Sequence, residues 1–382
     1  VQLTRITLPF LLFVSLSSFF SGILNSYNKF AAAAAAPIIL NIILILTLFI
    51  SFLFKLDFAV NLSYGVVLAG IIQLIFLIIF SRKYYKPSIT FKKKINSKVK
   101  FFLKKLLPSI FSSGITQVNI LVGTIIASFE AGAVSYLYYA DRVYQINLAI
   151  AGIAVGTVSL PALSKSLRIG KIDEVNSIQN KSIELCFLLS IPASLGLILA
   201  SNEITNALFG YGSFSKEDVT MTAIALKYFG YGVPAFALIK ILSNFFFARN
   251  DTKTPFYLSL FSVALNIGIS LVFFREIGFI IIPIATSVST WATVILYLVL
   301  LTKHKFIILG NLPLFNFLKI IFSTAIMSLA LYYGIGFFED KLIYNNNYKS
   351  IYLLIMIGLV AAIYLMFCYL FGLLKTKNYK TN

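Results

Sequence analysis

Acidic side chains are scarce in this chain, with thirteen Asp and Glu against 32 Lys and Arg in 382 residues. Charged residues of both signs make up 12%, where a soluble domain carries about a quarter. Hydrophobic residues reach 59% and the mean hydropathy is +0.92, so water could not keep such a surface dispersed. Cysteine is limited to Cys186 and Cys368, both inside apolar segments, and the single histidine, His304, sits in a short basic linker. No disulfide framework and no metal site follows from residues so placed. The chain also lacks a Gly-rich loop closed by Lys-Ser, a His-Glu zinc motif and a nucleophile elbow, and ATP hydrolysis within it is not expected. No cofactor is expected.

What is present is a succession of apolar runs about 20 residues long, matching the roughly 30 Å hydrocarbon core of a bilayer. Backbone polar groups at that depth must be satisfied within each segment, which selects helices. The expected fold is therefore all-α, a polytopic membrane protein. The runs are Ile6–Tyr27, Ala31–Leu53, Ala59–Phe80, Leu106–Ser128, Ala133–Leu163, Ile183–Ser201, Met221–Ala248, Pro255–Phe274, Gly278–Leu301, Phe317–Phe337 and Ile351–Leu374.

The net charge of +19 argues for nucleic acid only where basic residues interleave with aromatics on a soluble surface; here they lie between apolar runs. Arg82 to Lys105 holds ten Lys or Arg and no acid, as expected of a cytoplasmic loop beside anionic lipid. With that loop inside, alternation gives the cytoplasmic connections, including Lys165 to Lys181 and the tail from Lys375, 22 positive residues. The opposite side keeps Arg5, Lys55, Lys216, Arg275, Lys341 and Lys349, so the positive-inside rule sets the orientation and puts the C-terminus in the cytoplasm. The same alternation puts Val1 outside, which an odd number of upstream spans would bring about.

Several spans carry polar stripes at three- and four-residue spacing: Ser15, Ser18, Gly22 and Asn25; Ser109, Ser112, Thr116 and Asn119; Ser259, Ser262, Asn266 and Ser270; and Thr286, Thr290 and Thr293. One such stripe reads as interhelical hydrogen bonding; recurrence over four helices favours a hydrated cavity. The strongest local signal is Ser135 to Gln145 in the fifth span, where Asp141 and Arg142 enter a helix that then runs apolar. A charge at membrane depth costs at least about 2.5 kcal/mol. Ser135, Tyr138, Arg142 and Gln145 share one face, whereas Asp141 points about 100° away and is not expected to partner them. An arginine fork matches phosphate oxygens and keeps its charge, which suits a phosphorylated amphiphile; the alternative is an arginine snorkelling outward. Lys240, one turn before Asn244, is the second candidate. Pro9, Pro37, Pro108, Pro192 and Pro234 interrupt spans and mark expected kinks or hinges.

Three motifs resemble the MurJ/MviN lipid II flippases of the multidrug/oligosaccharidyl-lipid/polysaccharide exporter superfamily. They are Arg5-Ile-Thr-Leu-Pro-Phe with Gly22 to Phe30 and Pro37 to Asn41; Tyr138-Tyr-Ala-Asp-Arg142 with Gly156 to Lys165; and Phe247 to Pro255. The resemblance implies a MATE-like two-lobe helical bundle of fourteen spans, of which the eleven read here look like the fourth through the fourteenth. It makes residues 1–81 a remnant of the first lobe, 82–104 a basic cytoplasmic loop and 105–302 the second lobe. Residues 314–374 become two helices lining a groove for the lipid tail, and 375–382 a cytoplasmic tail. Among the family's diphosphate-binding arginines only the one matching Arg142 carries over, with Asp141 and Ser135 beside it. A family acid one turn on is Gln145 here. The fourth and eighth spans, where some relatives bind sodium, hold no acid.

The function expected is flipping of lipid II across the bacterial inner membrane by alternating access, a transporter and not an enzyme, serving peptidoglycan synthesis and cell shape. The substrate-binding residues expected are Arg142, Ser135, Asp141, Gln145, Lys240 and Asn25. Expected partners are lipid II, membrane lipids and cell-wall synthesis machinery, with no nucleic acid. The alternatives are an exporter of another lipid-linked oligosaccharide or a drug, or a truncated remnant that does not transport.

Overall fold

A computed structural model describes residues 2–27, 29–85, 97–307 and 314–374. Much of the basic cluster, including Lys92, Lys93 and Lys94, and the tail from Lys375 lie outside the described residues, as do the side chains of Ser109, Ser112 and Thr116. The described residues form helices with no strand among them, and nine stretches of them are long and apolar enough to cross a membrane. Each of the eleven expected runs falls on helix.

The chain divides into two compact units, Val1–Ser97 and Lys98–Asn382. In the first, α1 (Gln2–Thr7) stops at Pro9, α2 (Phe10–Ser26) and α3 (Phe30–Leu53) follow, and α4 (Phe58–Ser81) packs against both. Asp57 caps α4 by accepting the Val60 amide at 2.8 Å. Gly65 lets α3 approach, because a Cβ there would meet the Thr47 hydroxyl at 2.6 Å. Phe20, Leu24, Ala36 and Leu77 make a small core, whereas Ser15, Ser18, Gly22 and Asn25 stay exposed within this unit.

The second unit begins with α5 (Ser97–Ala127) and α6 (Ala133–Leu148); α6 runs through one π-helical stretch, Ala149–Ala154, into α7 (Val155–Ile169). Then come α8 (Ile172–Leu199), the short α9 (Ser201–Phe209) and α10 (Lys216–Phe247). The cytoplasmic connection expected over Lys165 to Lys181 is itself helical: α7 and α8 extend through it and only Gly170 and Lys171 turn the chain. Gly170 takes φ +76°, and the Lys171 amide closes back on Ser166 O at 3.1 Å, a C-terminal cap for α7. The helices α11 (Lys253–Ile277) and α12 (Ile281–Lys303) form a hairpin. Finally α13 (Leu314–Phe337), the single turn α14 (Glu339–Leu342) and α15 (Lys349–Leu370) form a pair packed on α8 and α9.

The post of this unit is α10, opened by a capping box in which Ser215 and Asp218 exchange hydrogen bonds. It is touched by α6, α8, α9 and α12 and is the most buried of the long helices, with Lys227, Tyr231 and Lys240 among the few residues that stay exposed along it. Gly152 and Gly156 let it lie close: a Cβ on Gly152 would come within 3.1 Å of the Ala237 Cα. Beside them the Asn244 amide, buried, donates to Gly156 O at 2.8 Å.

The prolines within α8 and α10 do not end their helices. A helical proline lacks the N–H that would bond the carbonyl four residues back, and neighbouring helices supply the missing donor. Ser194 on α8 donates to Gly230 O, the carbonyl freed by Pro234, and Tyr364 on α15 donates to Leu188 O, freed by Pro192, both at 2.7 Å. The expected hinge positions Pro192 and Pro234 are thus docking points in this structure.

Replacing Gly152 by Leu should push α10 away and lower stability by about 1–3 kcal/mol, read as a fall in melting temperature in detergent. Gly268→Ala, where nothing lies within 4 Å, should not lower it.

Candidate functional site

Helix α6 is anchored on several sides and open on one. Its Tyr136 hydroxyl donates to Asp218 Oδ1 at 3.0 Å, tying its first turn to the α10 cap. Tyr139 packs against Phe209 and Phe214 with ring centroids 4.8 and 5.2 Å away, and Tyr144 stacks on Phe229 and Phe236 of α10 at 4.8 and 5.2 Å. With these aromatic side chains holding the helix, the face left over presents Ser135, Tyr138 and Arg142, all exposed in this unit.

On that face the Arg142 guanidinium lies 4.8 Å from the centroid of the Tyr138 ring, a cation–π contact one turn apart. Arg142 forms no ion pair among the described residues. The neighbouring carboxylate is occupied otherwise: Gln145 Nε2 donates to Asp141 Oδ2. This corrects the expectation that Asp141 partners none of Ser135, Tyr138, Arg142 and Gln145. Residues 141 and 145 are four apart, so their side chains meet along the axis even though Asp141 lies off the Arg142 face. The hydrogen bond turns Gln145 towards Asp141 and leaves the guanidinium with a ring under it and unused donors.

The other expected residues are placed differently. Lys240 is exposed on α10, its stem beside Gly152, whereas Asn244 is buried on Gly156 O, so these two do not form a polar pair. Asn25 is exposed near the end of α2 in the first unit.

Three of the four polar stripes meet in one cluster inside the second unit. Asn266 Nδ2 on α11 donates to Asn119 Oδ1 on α5 at 3.1 Å and to Thr286 Oγ1 on α12 at 3.2 Å, and Ser270 donates to Asn266 Oδ1 at 3.3 Å. The cluster is neutral and joins three helices. Thr290 and Thr293 instead bond carbonyls of their own helix.

The Phe247 to Pro255 motif builds a turn outside the apolar spans. Asp251 Oδ1 accepts the Lys253 and Thr254 amides, both at 3.0 Å, and its Oδ2 accepts the Thr254 hydroxyl at 2.6 Å, fixing the start of α11. Arg249 covers the Phe306 ring at 4.2 Å and donates to Phe245 O at 2.7 Å, which holds the chain after α12 against the end of α10. Burial pushes the Asp251 carboxyl up, but the Thr254 hydroxyl and the two amides outweigh it and hold the group below the usual aspartate range.

Sequence reasoning missed the π-helical stretch, the docking role of the prolines and the buried lysine at the start of α15. Only the prolines carried a signal that could have been used, since each frees a carbonyl at a known position.

Comparison with known proteins gives a consistent picture. The family model described as lipid II flippase MurJ matches residues 1–372. A probable lipid II flippase MurJ of Rickettsia prowazekii (strain Madrid E) is 37% identical over 99% of this chain and 74% of its own length. The corresponding protein of Rhizobium tropici is 38% identical over 80% of this chain, which spans only 58% of that relative. A solved structure of lipid II flippase MurJ in an inward closed conformation superposes with a TM-score of 0.79 at 27% identity, covering 97% of this chain and 74% of that one. An inward-facing multidrug resistance MATE family transporter, at 15% identity and a TM-score of 0.69, shares the fold over 80% of this chain.

Asp251→Ala should cost about 1 kcal/mol through loss of the cap. Because the folded pKa is depressed, the stabilisation is present above the unfolded value and fades as pH falls through the folded one. The melting-temperature gap between wild type and variant should therefore close below about pH 4.

Proposed function

The chain belongs to the lipid II flippase MurJ family, and from that membership we propose that the whole protein moves lipid II across the bacterial inner membrane by alternating access, with Arg142 receiving the diphosphate. The observation that carries the role of Arg142 is its state on α6: exposed, seated on Tyr138, free of any ion pair among the described residues and next to a carboxylate already bonded to Gln145. A guanidinium with unused donors suits bidentate recognition of phosphate oxygens. Ser135 lies on the same face and offers a hydroxyl. No covalent step is involved; the lipid is bound, carried and released.

In this reading residues 1–81 belong to the first lobe and 105–302 form the second. Residues 314–374 form a pair beside which the prenyl tail stays in lipid. The Asn119–Asn266–Thr286 cluster uses its hydrogen-bonding groups on one another and contains no carboxylate, so its role is to hold α5, α11 and α12 together. Enzymes that polymerise peptidoglycan on the outer leaflet would take up the product and are the natural partners. The protein is a multi-pass inner-membrane protein, and the excess of Lys and Arg on alternate connections supports a cytoplasmic C-terminus.

Arg142→Ala should lower translocation of lipid II in cells by more than about tenfold at unchanged protein level, as expected when a charge-assisted contact is lost. Arg142→Lys should retain part of the activity, and full activity in the alanine variant would remove Arg142 from the site. For the orientation, a cysteine placed at Lys93 should react with a membrane-impermeant maleimide only in inverted vesicles, and one placed at Gly212 only in intact spheroplasts. The reverse pattern would invert the topology.

A further inference from the structure

The first residue of α15 is a lysine buried as deeply as the core: Lys349 is 1% exposed. Its ammonium donates to Gly210 O and Tyr344 O, and lies 4.1 Å from the centroid of the Tyr211 ring and 4.7 Å from that of Tyr344. It pairs with no carboxylate among the described residues. Dipoles and ring faces alone hold the charge. Around it the same two segments are stitched together again: Ser350 donates to Ala207 O at 2.5 Å, Tyr344 to Phe214 O at 2.6 Å, and Asn206 to Leu342 O at 2.7 Å.

Apolar side chains could join these segments without taking a charge out of water, and a buried charge lacking a countercharge is among the more expensive things a fold can hold. Lys349 stands at the end of a span and not at membrane depth, so the cost is that of burying the ammonium in protein, and a fold that accepts it has a use for the cation. The position fits that view. Lys349 joins the C-terminal pair α13–α15 to the α9–α10 connection, at one end of the pair. At mid-helix, Tyr364 docks the pair on α8.

We propose that Lys349 is a positioning residue for transport, an ammonium tether that keeps the C-terminal helix pair on the second lobe while lipid moves along it. Because the partners are carbonyls and rings, the tether grips a cation of the right size and not a particular covalent frame. That gives a test which packing alone would not pass. The proposal rests on the flippase reading for its consequence, but the tether itself is measured without transport.

Hydrogen exchange would be followed over residues 338–352 in protein reconstituted in bacterial lipid, with amides in the middle of α13 and α15 as the fold control. Lys349→Met and Lys349→Ala should each speed exchange in that segment by about tenfold or more, the scale expected when buried carbonyls lose a charged donor, with the control amides unchanged. Propylammonium chloride should restore protection in the alanine variant, which leaves room for it, and not in the methionine variant, which fills the space. Tyr211→Leu, which removes one ring and keeps both carbonyls, should give a smaller increase. Unchanged exchange in the alanine variant, or an identical response of both lysine variants to the amine, overturns the tether. Lipid II translocation would then be measured in the same preparations. Slow translocation in K349A that propylammonium speeds supports the positioning role. Wild-type translocation in a variant whose segment is loosened overturns that role and leaves the flippase reading intact. Failure of wild type to flip, with the exchange results as expected, counts against the flippase reading alone.

Discussion

Hydrocarbon offers no hydrogen bonds, and nearly everything in this structure answers to that. The backbone closes into helices because nothing else satisfies its polar groups at membrane depth. Where a proline breaks the closure inside α8 or α10, a hydroxyl from the next helix completes it, so the freed carbonyls of Leu188 and Gly230 become points of attachment. The serines and threonines that bond carbonyls of their own helix, such as Thr290 and Thr293, follow the same rule. A polar group that departs from it stands out, and Arg142 and Lys349 depart in different ways. One is exposed with a ring beneath it, and the other is buried among dipoles.

The two cations divide the work between recognition and support. Arg142 sits on the side of α6 that the aromatic anchors Tyr139 and Tyr144 leave open, so its freedom is a product of how the rest of the helix is fastened. The Asp141–Gln145 bond belongs to the same arrangement, because it gives the adjacent carboxylate a partner other than the guanidinium. Lys349, in contrast, is enclosed, its ammonium held by two carbonyls and two ring faces.

Much of this was legible in the sequence, for reasons that can be named. Span length and alternating loop charge are direct consequences of bilayer thickness and of the positive-inside rule, so an all-helical, multi-pass fold could be read off. Arg142 could be singled out because a lone arginine beside an apolar run is costly. The Asp141–Gln145 bond escaped because face angle was weighed and axial distance was not. The helical continuation through Lys165 to Lys181 escaped because hydropathy reports where lipid ends, whereas a helix ends where its cap is, here at Gly170. The burial of Lys349 could not be read at all: by composition it looks like one more charge at a membrane surface, and only the fold of the Tyr211 and Tyr344 segments around it makes it interior.

The central helix has a consequence for how the protein is made. Among the nine apolar stretches α10 has the lowest mean hydropathy, 1.3 against 2.6 for α3 and α15, yet 67% of the residues in its 18-residue apolar segment are buried, the largest share of the nine. A translocon that sorts segments by their preference for lipid would release α10 reluctantly if it emerged alone. The π-helical stretch, α7 and α8 are synthesised earlier and present Gly152, Gly156 and the Ser194 hydroxyl that α10 packs against. Biogenesis of this unit therefore depends on order: the first-made helices act as the solvent for the one that ends up holding them together.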